Sequence, residues 1–153
     1  MVHNGITFEI PNKPGQFLGD ILNLFNPQDY IWDIEYDEIH LQRDNEYTGE
    51  FLFTEEYLSG EDLLNRAMTN TYYMIFITLR AFLNEASRDR YGSYDDFLKS
   101  DSQVFLTVYD CSYVMFSFKD GNILQEVYRN AEAKGFDNIN LLTEESLREY
   151  NWV

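Results

Sequence analysis

Cysteine occurs once, at Cys111, which excludes an intramolecular disulfide and a cysteine-based zinc cluster. Three prolines and eight glycines in 153 residues are too few for a proline- or glycine-rich low-complexity tract. No glycine-rich phosphate loop, nucleophile elbow or metalloprotease helix occurs, so the common sequence signatures of catalysis are missing. The longest apolar run, YYMIFITL at 72–79, stops at Arg80. That is well short of the ~20 residues a membrane-spanning helix needs. The opening MVHNGITFEIPNKPG lacks the basic segment followed by an apolar stretch of a secretion signal, so a cytoplasmic location is expected. Basic residues are scarce: 11 Lys and Arg stand against 27 Asp and Glu, a net charge of −16. Such a chain repels phosphate backbones and anionic lipid, so neither nucleic acid nor a membrane is an expected partner. A basic protein is the natural counterpart. The same charge also serves simply to keep an aromatic-rich chain in solution.

What is abundant is apolar and aromatic: 44% and 17% of the residues. That is enough for one domain with a substantial core and argues against disorder. GITFEI alternates as a half-buried strand, and Pro11 and Pro14 end it and open a helix carrying Phe17, Leu18, Ile21, Leu22 and Phe25 on one stripe. After Asn26-Pro27, Tyr30, Trp32, Ile34 and Tyr36 alternate with Asp33, Glu35 and Asp37. A tight turn at Asp37-Glu38 would lead to a second strand through Ile39 and Leu41, and GEFLF at 49–53 reads as another. Ser59, with Asp62 three residues on, caps a helix over Leu63, Leu64, Ala67 and Met68. YYMIFITLRAFL leaves neither face wet and predicts a central strand.

NEASRDRYGSYDD predicts a loop leading into a short helix capped by Ser93. QVFLTVYD and SYVMFSFKD form a hairpin around Asp110-Cys111. The helix from Asn122 to Lys134 has its stripe at Ile123, Leu124, Val127, Tyr128 and Ala131 and a left-handed stop at Gly135. DNINLL gives a last strand, and Thr143 starts a last helix. The expected fold is a single α+β domain over residues 1–153, a mixed or mainly antiparallel sheet covered by helices. The order of elements suggests two split βαβ units sharing that sheet.

The period of two predicts Tyr30, Trp32, Ile34 and Tyr36 inward and Asp33, Glu35 and Asp37 in water, ionised and without metal. Three carboxylates on one strand face also suit a hard divalent cation, which makes a metal-dependent hydrolase the rival reading. A calcium loop is excluded because Glu38 stands where the sharp turn needs glycine. His3, His40 and Cys111 share no ligand spacing, and Cys111 has no basic neighbour in sequence to lower its pKa. Arg88 and Arg90, the one close arginine pair, are expected to answer nearby acids. No catalytic residue, metal ligand or cofactor is singled out.

Between Gln28 and Asp62 acidic residues outnumber the one basic residue, Arg43, by twelve to one, and tyrosines are interleaved with them. Clustered acid with aromatic anchors suits docking on a basic protein. The candidate contact residues are Asp33, Glu35, Asp37, Glu38, Asp44, Glu46, Tyr47, Glu55, Glu56 and Tyr57.

GITFEIPN, YDDFLKSD, DCSYVMF and GFDNI, in this order over nearly the whole chain, resemble a family of small bacterial proteins known only as a domain of unknown function. That resemblance implies no activity or site residue. ILQEVYRNAEAKGFDNINLL is also similar to the last helix and strand of barstar, an acidic inhibitor of a basic ribonuclease. YGSYDDFL resembles the helix with which that inhibitor plugs its target. The likeness leaves the N-terminal half without a counterpart. What it implies is an inhibitor, immunity or anti-defence protein, against two alternatives: the hydrolase, and a structural domain with no partner for its acids.

Overall fold

A computed structural model describes residues 2–152, with Tyr36 described by its backbone alone. The inward orientation expected of the Tyr36 side chain therefore lies outside the described residues. The described chain forms eight strands and five α-helices. In order they are β1 (His3–Glu9), α1 (Phe17–Leu22), β2 (Ile31–Arg43), β3 (Glu46–Phe51), β4 (Tyr57–Ser59), α2 (Gly60–Thr69) and β5 (Thr71–Phe82). Then come α3 (Tyr94–Lys99), β6 (Val104–Tyr109), β7 (Tyr113–Phe118), α4 (Gly121–Lys134), β8 (Asp137–Thr143) and α5 (Glu144–Glu149). The strands make one sheet in the order β3-β2-β5-β6-β7-β1-β8, with β4 paired to the outer side of β2, and every described strand pairing is antiparallel. The fold is α+β. One split unit is present: β7 and β8 run parallel, joined by α4, with β1 between them. A second is present too: β4 and β5 run parallel, joined by α2, with β2 between them.

The register lines up one apolar row across the sheet: Ile6, Phe116, Leu106, Leu79 and Ile34 are successive neighbours. Helices α1, α2 and α4 cover this face with Leu18, Ile21, Leu22, Leu63, Ala67, Leu124, Val127 and Ala131. The opposite face is covered as well. There α3, α5 and the C-terminal segment bring Tyr94, Phe97, Leu147 and Trp152 over Phe82, Phe105 and Met115. Trp152 is fully enclosed, and its indole N–H donates to the Leu147 carbonyl at 2.7 Å.

The helix signals read from sequence act as expected. Ser59, Ser93 and Thr143 each accept from the backbone N–H three residues on, and Asp120, not singled out in the sequence, accepts from the N–H of Asn122; each satisfies a donor the first turn leaves free. Gly135 ends α4 with φ 82°. Gly60 begins α2 against the 27–28 backbone: a Cβ there would lie 1.8 Å from the Pro27 carbonyl oxygen, so only glycine permits the approach.

Two expectations need correcting. Asp37-Glu38 is not a turn: β2 runs on to Arg43, and the register shifts on both sides of Glu38 mark a bulge. The reversal comes instead at Asp44 and Asn45, both with positive φ, which a two-residue hairpin turn requires. The third strand therefore starts at Glu46 rather than at Gly49.

Candidate functional site

In the sheet register Asp33 faces Arg80 on β5, and Arg80 faces Phe105 on β6; one step along, Glu35 faces Thr78. These residues lie on the face covered by Tyr91, Phe97 and Trp152, so alternation along β2 carries two carboxylates into a second buried layer. Asp33 is only 2% exposed. The expectation that Asp33 and Glu35 stay in water is therefore wrong. The physical reason is that this antiparallel sheet has no wet face here, and its acids are matched by arginines distant in sequence.

The matching is complete at the carboxylates. Arg88 Nη1 lies 2.8 Å from Asp33 Oδ1 and Arg90 Nε 3.0 Å from Asp33 Oδ2. Arg80 Nη1 lies 2.7 Å from Glu35 Oε1 and Arg90 Nη1 3.2 Å from Glu35 Oε2. All four oxygens are engaged. Arg80 also donates to the Tyr91 carbonyl and Arg90 to the Ile34 carbonyl, at 2.9 and 3.2 Å. Arg80 stacks over Tyr91, and Arg88 over Tyr57 at 4.0 Å. Burial opposes the charge of Arg90, but the hydrogen bond and charge of Asp33 outweigh it and hold its pKa above the usual value. This network ties the connection after β5 to β2. A divalent ion at Asp33 and Glu35 would have to displace guanidinium groups from every oxygen, and Asp37 lies within the bulge. Among the described residues no three His, Cys, Asp or Glu side chains converge as metal ligands.

The other candidate residues separate into distinct places. Asp37 is half-buried, with one carboxylate oxygen enclosed and unpartnered; burial pushes its pKa up to about 7 against hydrogen bonds from the Phe53 and Ile39 backbone. Glu55 bonds Arg66 at 2.6 Å, and that hydrogen bond brings its pKa down to about 2. Tyr57 bonds the Glu85 carboxylate while Glu56 stays in solvent at the rim of the arginine cluster. Glu38, Asp44, Glu46 and Tyr47 remain together on the β2–β3 hairpin, where Glu50 and Phe51 join them. Tyr47 is 59% and Phe51 45% exposed, and both rings stand beside His40. β3 is the terminal strand of the sheet, exposed at five of its six residues.

The model for the family described as a protein of unknown function, DUF2691, matches residues 3–153. The chain belongs to this family. It is 32% identical over 146 residues to the uncharacterized protein YncE of Bacillus subtilis strain 168, covering 95% of each chain. No solved structure matches. The segments GITFEIPN, YDDFLKSD, DCSYVMF and GFDNI thus mark true membership of the DUF2691 family.

The likeness of YGSYDDFL to a plugging helix does not extend to its surface. In this DUF2691 member Tyr91, Tyr94 and Phe97 are buried in the second layer rather than presented to a partner. Arg80 was legible in sequence only as the end of an apolar run; that it completes the cluster follows from strand register. No helix among the described residues is long and apolar enough to cross a membrane.

Proposed function

We propose that the protein is a non-catalytic, cytoplasmic binding domain that docks a basic protein through the β2–β3 hairpin. The single observation that carries this reading is the hairpin's surface. Glu38, Asp44, Glu46 and Glu50 lie on the same exposed hairpin as Tyr47 and Phe51, with Arg43 the only arginine or lysine on the two strands. The acids steer a basic surface and the rings supply apolar anchors. β3 also offers an unpaired edge, to which an extended basic segment would add as a further strand. The interface is narrower than the sequence region from which it was read. Asp33 and Glu35 are withdrawn from it by their arginines, Glu55 by Arg66, and Tyr57 by Glu85 and Arg88. An inhibitor or immunity role is the form of binding most consistent with so strong a charge.

The test compares the wild-type chain with Glu38→Gln/Asp44→Asn/Glu46→Gln and with Tyr47→Ala/Phe51→Ala as baits for basic proteins from the native host. The expected partner is retained by the wild type, lost from both variants, and released as salt rises past ~0.15 M, where the screening length is near 8 Å. On a captured partner, the neutral variant should slow association and the ring variant should speed dissociation. Equal capture by all three baits, or salt-independent binding, refutes the reading.

A further inference from the structure

Little holds the edge strand β3 to the sheet. It pairs only with β2, at His40–Phe51, Gln42–Tyr47 and Arg43–Glu46, and the register shifts between the first two of these pairs. Asp44 and Asn45, with positive φ, form the turn at one end, and Gly49, with φ 82°, stands in open space. At the other end the chain returns to β2 through residues 52–54. There the Leu52 N–H donates to the Ile39 carbonyl at 2.9 Å, Leu52 and Phe53 are buried, and the Phe53 N–H bonds the Asp37 carboxylate. Asp37 lies within the bulge of β2, and one of its oxygens is enclosed without a hydrogen-bond partner. The charged groups around it are few. Glu55 repels it from the return segment and is itself bonded to Arg66 of α2 at 2.6 Å. On its own strand Glu38 lies 3.7 Å from His40, and β5 sets Thr78 and Phe76, neither of them titratable, opposite Glu35 and Glu38.

We propose that Asp37 is a proton-operated latch on the edge strand: carrying a proton it pins the 52–54 return, and β3 with it, to β2, and ionised it lets both swing out about the Asp44–Asn45 turn. The ionised carboxylate has N–H donors from Phe53 and Ile39, but its enclosed oxygen then carries charge with neither water nor donor, and Glu55 adds repulsion. A proton removes both penalties. Release removes them too, by returning the carboxylate to water. The two donors favour the ionised form and do not prevail, since burial brings the carboxyl to about 7 in the held form. The held form thus keeps its proton up to about 7 and the released form only near the ordinary 3.8. Holding is fully favoured below 3.8 and weakens as pH rises through 7. Burial of Leu52 and Phe53 opposes release, so the released form is a minor population whose share the proton sets. As regulation of docking this rests on the reading of the hairpin as the contact surface, because a released β3 has no fixed edge to offer. The latch itself belongs to the free chain and is measured there.

Hydrogen exchange of the full chain at pH 5 and pH 8, corrected for intrinsic rates, reads the latch at the Leu52 amide. Its protection should fall at least about tenfold over this range, a fraction of what the linkage allows because the carboxyl is only half-buried. Asp37→Asn keeps the shape without the charge and should hold that protection constant to about twofold. Leu106 and Phe116, paired at the centre of the sheet, should stay far better protected at pH 8, which separates local release from global unfolding. Glu55→Gln removes the repulsion and should move the midpoint of the Leu52 change to lower pH. His40→Gln, replacing the one imidazole of the hairpin, should leave that midpoint in place. Leu52 protection that ignores pH overturns the proposal. So does a pH dependence retained in Asp37→Asn, or a Leu52 amide that exchanges no faster than Leu106. A latch found in the free chain, together with hairpin variants that capture a partner as the wild type does, refutes the docking reading and leaves the latch standing.

Discussion

Replacing Asp33 by Asn distinguishes a solvated strand face from the buried cluster. The substitution keeps shape and one acceptor but removes the charge that faces Arg88 and Arg90 at 2.8 and 3.0 Å. At an effective dielectric of 20, a pair with charges ~4 Å apart interacts by about 4 kcal/mol. Two such pairs are lost, offset by the desolvation that a neutral amide no longer incurs and by the freedom of the part-exposed Arg90 to turn toward water. Removing one partner of a buried pair costs about 3–5 kcal/mol, and the lower end suits this geometry. Urea unfolding should therefore show a loss of about 3 kcal/mol, a midpoint shift of ~1.5 M for a slope near 2 kcal/mol/M. The loss should persist at about 1 M salt, since buried pairs are weakly screened. Glu46→Gln, on the exposed hairpin, should move stability by less than about 0.5 kcal/mol. Combining Asp33→Asn with Arg90→Gln should give a smaller loss than the two single changes added, because both break one pair. Should Asp33→Asn unfold within about 0.5 kcal/mol of the wild type, the account of the second layer is wrong.

Asp37 carries a pH dependence of definite sign. Its folded pKa of about 7 lies above the ordinary 3.8, so its contribution is fully present below that ordinary value and is lost as pH rises through 7. Asp37→Asn mimics the protonated form and should gain on the wild type between pH 5 and pH 8 by about 1–2 kcal/mol, after discounting for solvent screening; equal midpoints at pH 8 would refute this. Gly135→Ala should cost about 1 kcal/mol in equilibrium unfolding, since no atom crowds the site and only the positive φ resists a side chain. Trp152→Ala should cost about 3–5 kcal/mol, because it empties the centre of the second layer against Phe105, Phe97 and Tyr94. A thermal midpoint unchanged by that substitution would show the C-terminal segment to be undocked.

Much of the local structure was legible because its causes are local. Ser59, Ser93, Thr143 and Gly135 act on their own helix ends, and the apolar run at 72–79 forms a strand, buried on both faces from Ile77 onward and half-buried at Tyr73, Ile75 and Phe76. The hairpin turn at Asp44 and Asn45 is also a local matter, but the alternation on either side of Asp37 concealed the bulge that keeps β2 continuous. What only the tertiary structure decided is the fate of the acids. A period of two separates Asp33 and Glu35 from Trp32 and Ile34 but says nothing about which face meets water. That depends on α3, α5 and Trp152 folding back over the second face, and on strand register setting Arg80 opposite Asp33. The net charge of −16 is readable from composition. Its division into a paired interior cluster and an open hairpin is not, because these acids and their arginines stand 45 to 57 positions apart in sequence and meet only through the tertiary fold.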